Sequence, residues 1–172
     1  MNQCADDTCC FGRIAVPSSG PQPARIMLVL EAPGYRELEE GRPLIGPAGK
    51  IADSIFATVG IDRTQIRIAN SCQCVDMARD DRRPTPAELD SCRPRLLDDI
   101  TTTNPSLIIA MGNISQQLFF PGTKVGQIRG KFRNWQGRIV LPTYHPAAAL
   151  PMRNPELKHV IADDIRTALT LI

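Results

Sequence analysis

The sequence has no long apolar run, no marked excess of charge of either sign, and no cysteine after position 92. Each absence closes off a class of function. No stretch approaches the roughly 18 apolar residues of a membrane span, and the opening MNQCADDTCC lacks the basic end and apolar middle of a secretory signal. A soluble, cytoplasmic monomer with no membrane contact is expected. Lys and Arg total 20 against 18 for Asp and Glu, a net charge of +2. Bulk electrostatics therefore give no pull toward nucleic acid, and any basic footprint must be local. With 172 residues and no internal repeat, the chain fits one domain with a real core and is short for two.

Two nucleotide-binding motifs are also missing. GPAGK at 46–50 suggests a phosphate loop, but Leu44 stands where a Walker motif needs glycine and Ile51 where it needs Ser or Thr. The G-x-G-x-x-G of dinucleotide folds is absent from the first turn as well. What remains is a weaker expectation: Gly46, Gly49 and a helix start at Lys50 presenting N–H groups to a phosphate. The alternative is a turn that needs glycine backbone angles.

What is present is a regular alternation. Apolar runs ARIMLVLEA, RIANSC, SLIIAMG and RIVLPTYHP read as four strands, and GKIADSIFATVG, TPAELDSCRPRLLDDITTT, ISQQLFF and NPELKHVIADDIRTALTLI as the helices between and after them. Thr85 with Glu88 is a capping-box signature, and Pro94 is expected to disturb that helix. LEAPGYRELEEGRPLIGPAGK at 30–50 reads as a rigid acidic loop, and PSSGPQP at 17–23 as a connector behind a cysteine-bearing amino-terminal arm at 1–24. Continuous apolar strands alternating with helices indicate an α/β fold, a parallel sheet covered on both faces. Ligands of such sheets bind beyond the carboxyl ends of the strands. Three polar clusters fall there: EAPGYRE, Asn70, and YHP around His145.

Six cysteines remain to be placed: Cys4, Cys9, Cys10, Cys72, Cys74 and Cys92. Disulfide frameworks belong mainly to small secreted chains. Metal or iron–sulfur binding is the leading reading here, with unpaired thiols and disulfides as alternatives.

LEAPGYRELEEGRPLIGPAGK, Asn70 with CQC and then Cys92-Arg93-Pro94, and TYHPAAALPMRNPELK occur in one order across nearly the whole chain. Together they resemble the iron–sulfur-containing uracil-DNA glycosylases of family 4. The resemblance implies a four-stranded parallel sheet between helices, a [4Fe–4S] cluster, and monofunctional hydrolysis of the bond between uracil and deoxyribose, leaving an abasic site. Its partner is uracil-containing DNA, single- or double-stranded.

The resemblance also implies roles. Asn70 reads uracil, Glu37 lies near the base edge where thymine carries its methyl, and Glu31 is the acid of the first motif, beside Gly34. His145 stabilises the departing base. Ala32 stands where some related glycosylases carry a water-activating Asp. Leu44 replaces the usual Phe that stacks on the base; Tyr35 is a candidate replacement ring. Cys4, Cys9, Cys74 and Cys92 match the cluster ligands, with Cys10 in place of Cys9 still open and Cys72 left over as a strand-end thiol. Zinc would accept the same four thiolates. Lys50, Arg129 and Lys131, with Arg36 and the run ARDDRR, are candidates for DNA phosphates. His159 reads as a surface residue. The competing reading is a DNA-binding paralogue with weak or no turnover, or a glycosylase with a shifted base preference. Leu44 and the altered first cysteines motivate it.

Overall fold

A computed structural model describes residues 13, 15–76, 78 and 83–172. Apolar runs become strands where expected: β1 (Ile26–Leu30), β2 (Ile66–Asn70), β3 (Leu107–Met111) and β5 (Arg138–Thr143), with β4 (Arg133–Trp135) between the last two. The sheet order is β2-β1-β3-β5-β4. The first four strands pair in parallel, as the sequence indicates, and β4 adds an antiparallel edge. That fifth strand corrects the four-strand expectation. It forms because Gln136 and Gly137 both adopt positive φ (50° and 80°), a two-residue turn of the kind that closes hairpins.

Side-chain alternation divides the core. Leu28 and Leu30 face α2 (Pro47–Val59) and α5 (Leu157–Leu169), packing with Ile55, Phe56, Ile161 and Ile165. Met27 and Val29 face the opposite side, with Leu96 and Ile100 of α3 (Pro86–Thr103) and with Phe119. Both faces are therefore covered, which is why these strands are apolar throughout. The connector at 17–23 runs beside β2, where Ser19 and Ile68 exchange backbone bonds of 2.9 and 2.8 Å.

Helix boundaries bring three corrections. Residues 35–40, expected within a loop, form a short helix, α1 (Tyr35–Glu40), ended by Gly41 in the left-handed conformation. Helix α2 begins at Pro47 and not at Lys50, as suits a proline whose missing N–H is no loss in a first turn. Helix α3 runs unbroken through Pro94, after the Thr85–Glu88 capping box forms as read. The segment ISQQLFF contributes a 3-10 turn at Ser115–Leu118, and one turn of helix, α4, spans Val125–Ile128. Among the described residues, no helix is long and apolar enough to cross a membrane.

Candidate active site

A cavity of about 860 Å³ opens at the carboxyl edge of the sheet. Its walls come from the segment after β1, from Asn70 at the end of β2, and from the segment after β5 that begins at His145. Chain order separates these clusters by up to a hundred residues or so; strand order brings them to one opening.

Asn70 is 3 % exposed, yet its side-chain amide makes no hydrogen bond among the described residues. A buried amide is normally paired; this one lines the cavity, where its polar atoms can form hydrogen bonds. Its backbone is held in place: Ser71 N and Oγ both donate to Leu30 O at 2.8 Å, and Cys72 N donates to Glu31 O at 3.0 Å.

Glu37, 7 % exposed, turns back from α1 to accept hydrogen bonds from Ile45 N (3.0 Å) and Gly46 N (2.8 Å) through Oε1. Of the N–H groups that GPAGK was expected to offer a phosphate, that of Gly46 is thus taken by Glu37, and that of Lys50 donates to Gly46 O at 3.2 Å. The glycines serve close approach. A Cβ at Gly34 would lie 2.6 Å from Glu37 Oε2, and one at Gly46 3.1 Å from Oε1. Gly49 is pressed against the carbonyl of Leu44, where a Cβ would sit 2.2 Å from the oxygen. Leu44 itself lines the cavity, 4 % exposed, with φ of 57°. Glu31 also lines it, and burial raises its carboxyl above the usual range against a lowering pull from Arg83.

His145 lines the same cavity and sits half-buried. Its Nδ1 accepts a hydrogen bond from Ala147 N at 3.2 Å. A neutral imidazole carries its proton on the other nitrogen, so Nε2–H is the donor left over. Desolvation first, and the nearby Arg153 cation second, push its pKa down to about 4, with Glu37 pulling weakly the other way. The ring is therefore neutral at physiological pH. Gly112, at φ of 103°, allows the approach: a Cβ there would stand 3.2 Å from that of His145.

The uracil-DNA glycosylase superfamily profile matches residues 17–166. The type-4 uracil-DNA glycosylase of Saccharolobus solfataricus is 36% identical over 166 residues, covering 91% of this chain and 75% of that protein. That of Thermotoga maritima is 35% identical over 160 residues, 91% of this chain and 82% of the relative. The chain belongs to the uracil-DNA glycosylase superfamily, with the type-4 enzymes. A DNA polymerase of Bacillus phage SP01 also matches, 27% identical over 162 residues that make up 17% of its length.

Of the cations the sequence offered to this glycosylase fold, Arg36 and Arg83 line the cavity. Lys50, Arg129 and Lys131 do not. Lys50 is exposed on α2, and Lys131 is exposed with its Nζ on Gln127 O at 3.1 Å. Arg129 is engaged: Nε and Nη2 donate to Asp164 at 3.1 and 2.6 Å, and its guanidinium lies 6.0 Å from the Tyr144 ring centre. Arg153, to which the sequence reading gave no role, lines the cavity beside His145. Tyr35 stands at the rim, 60% exposed, and His159 is on the surface as read.

The described thiols form one buried group. Cys72, Cys74 and Cys92 place their sulfurs within 4.8 Å of one another, with Cys72 and Cys92 3.8 Å apart. Cys72, read from sequence as a leftover strand-end thiol, thus lies beside the two expected ligands. Cys4, Cys9 and Cys10 lie outside the described residues. Cys92 is pushed toward thiolate by the Cys72 sulfur first, then by the Gln73 N–H donating to it at 3.5 Å and the Arg95 guanidinium. Three buried sulfurs of this kind fit a soft metal centre. Cys74 is disulfide-bonded while Cys72 and Cys92 are free thiols, so loading a metal here requires Cys74 in its reduced form.

Proposed function

We propose that the protein is a monofunctional uracil-DNA glycosylase. The observation that carries this reading is the pairing, in one cavity, of a buried unpartnered amide at Asn70 with a neutral imidazole at His145 whose free nitrogen is a donor.

A base inside a duplex cannot be attacked, so the nucleotide must swing out into the cavity. Uracil presents O4 as acceptor and N3–H as donor, which an Asn amide meets with its NH₂ and its carbonyl. Cytosine reverses both groups and leaves buried polar atoms unpaired, at a cost of roughly 1–3 kcal/mol each. When the C1′–N1 bond breaks, its electron pair goes to the base and spreads onto O2. His145 Nε2–H donates to that oxygen as charge develops, which lowers the barrier without strengthening ground-state binding. Water adds to C1′, and its proton passes to the departing base. Ala32 supplies no general base, so the catalytic weight rests on the leaving group; Glu37 Oε2, which makes no hydrogen bond among the described residues, is the acceptor available to orient the water. Among the described residues no lysine lines the cavity, which supports hydrolysis without strand cleavage.

Met152, 89% exposed, projects from the segment whose neighbours Leu150 and Arg153 line the opening. An apolar side chain there fills the gap that an extruded base leaves in the stack. Arg36, Arg83 and Arg153 supply phosphate contacts around the mouth, and Lys50 and Lys131 lie farther out. In this reading Cys74 and Cys92, completed by Cys4 and Cys9, would hold a [4Fe–4S] cluster. Such a cluster ties the amino-terminal arm to the segment after β2; no electron transfer is needed for hydrolysis.

The test is incubation with labelled single-stranded and duplex oligonucleotides that carry one uracil, followed by alkali. Alkali-labile product from uracil strands and none from cytosine or thymine strands is expected. Binding without product at high enzyme concentration supports the DNA-binding paralogue, a reading that Leu44, a wall without a stacking face, keeps in view.

A further inference from the structure

Leu44 holds a backbone conformation that leucine rarely adopts, at φ of 57°, while forming part of the cavity wall. A non-glycine residue in the left-handed region persists only where its surroundings fix it. Two grips are visible on residues 43–46. From inside the cavity, Glu37 takes the N–H groups of Ile45 and Gly46. From outside it, Arg63 takes the carbonyls: Nη2 donates to Leu44 O at 2.5 Å and to Pro43 O at 3.3 Å. The other guanidinium nitrogen, Nη1, meets Asp53 Oδ1 on α2 at 2.5 Å. The Leu44 carbonyl is thus wedged between this guanidinium and the bare Cα of Gly49.

Resting on the uracil-excision reading, we propose that Arg63 is a positioning residue for the base pocket: it clamps the Leu44 carbonyl from behind and so sets the wall against which the extruded base lies. Arg63 itself does not line the cavity; it acts through Leu44. The planar fork of the guanidinium suits the task, because one edge spans two neighbouring carbonyls while the other is oriented by a carboxylate. Leu44 touches the base equally before and during bond cleavage. Losing the clamp should therefore weaken binding and leave the chemical step alone.

Steady-state excision from a single-stranded oligonucleotide with one uracil tests this in wild type, Arg63→Met and Arg63→Lys. Arg63→Met is expected to raise KM about tenfold, the size of one charge-assisted hydrogen bond, with kcat unchanged. Arg63→Lys, whose ammonium can meet one of the two carbonyls, should give an intermediate KM, and it carries the test alone if Arg63→Met does not fold. An unchanged KM in Arg63→Met, or a fall confined to kcat as a smaller folded fraction would give, overturns the proposal. So does Arg63→Lys behaving no better than Arg63→Met. If wild type releases no uracil, the functional reading fails first, and amide exchange at Ile45 and Gly46 decides on the clamp. Exchange about tenfold faster in Arg63→Met, or in Arg63→Lys where only that variant folds, supports it; wild-type exchange overturns it.

Discussion

Replacing Glu37 separates two roles that one carboxylate can play in this cavity. Oε1 is the acceptor for the N–H groups of Ile45 and Gly46, at 3.0 and 2.8 Å, and the side chain is buried. Glu37→Ala removes the partner of both. Each orphaned donor costs about 1–3 kcal/mol when it stays out of water, so the variant should lose about 2–5 kcal/mol, allowing for some relaxation of 43–46 toward solvent. For a domain of this size about 1 kcal/mol moves Tm by roughly 2–4 °C, which puts the expected drop near 10 °C. Glu37→Gln keeps a carbonyl oxygen at the same reach, and its Tm should fall by only a few degrees. The two variants part differently in activity: Glu37→Gln folds with its loop in place but lacks the negative charge facing the water, so excision should fall while stability holds. Thermal unfolding and single-turnover excision read the two effects separately. A Glu37→Ala protein that melts with wild type would refute the pinning role.

Other expectations follow from the same geometry. The folded-state pKa of His145 lies near 4, below its unfolded value. The stability held in its neutral form is complete above about pH 6.5 and is lost as pH falls toward 4. The loss amounts to at most about 3 kcal/mol, less for the part of the ring that the cavity leaves to water. Urea unfolding at pH 7 and pH 4.5 should show that loss in wild type and a smaller one in His145→Gln; equal pH slopes count against it. Leu44→Phe restores a stacking face worth roughly 1–3 kcal/mol per base and is expected to lower KM for uracil-DNA, whereas a rise would mean that Leu44 does not face the base. Met152→Ala should slow excision from duplex DNA and spare single strands, since only a duplex has a stack to fill. Equal losses on both substrates would remove Met152 from that role.

What could be read from sequence was whatever lies on regular elements. Apolar runs such as IMLVL and LIIAM have nowhere to go but a sheet covered on both faces, so the fold class and the edge that gathers Asn70 and His145 followed from pattern alone. Helix α1 escaped because six residues rich in Glu, flanked by Gly and Pro, look like a loop until Glu37 is seen folding back on 45–46. Strand β4 escaped because Arg-Asn-Trp is polar and mostly exposed, with only its hairpin turn to announce it. Arg63 and Arg153 had no signal at all: one grips a carbonyl nineteen residues back and the other reaches the cavity from a loop, both products of tertiary folding. Cys72 was left over once Cys74 and Cys92 had been matched to the family's ligand positions, and was read as a thiol ending β2. The chain instead turns there, and both sulfurs reach the same group.

The proposed function requires Asn70 and His145, which line one cavity, to grip a single pyrimidine. A crystal structure with free uracil bound tests this most directly. The Asn70 amide is expected on O4 and N3–H and His145 Nε2 on O2, each at hydrogen-bond distance, with the Leu44 wall against the ring. Uracil bound elsewhere, or in this cavity with either side chain turned away from it, would contradict it.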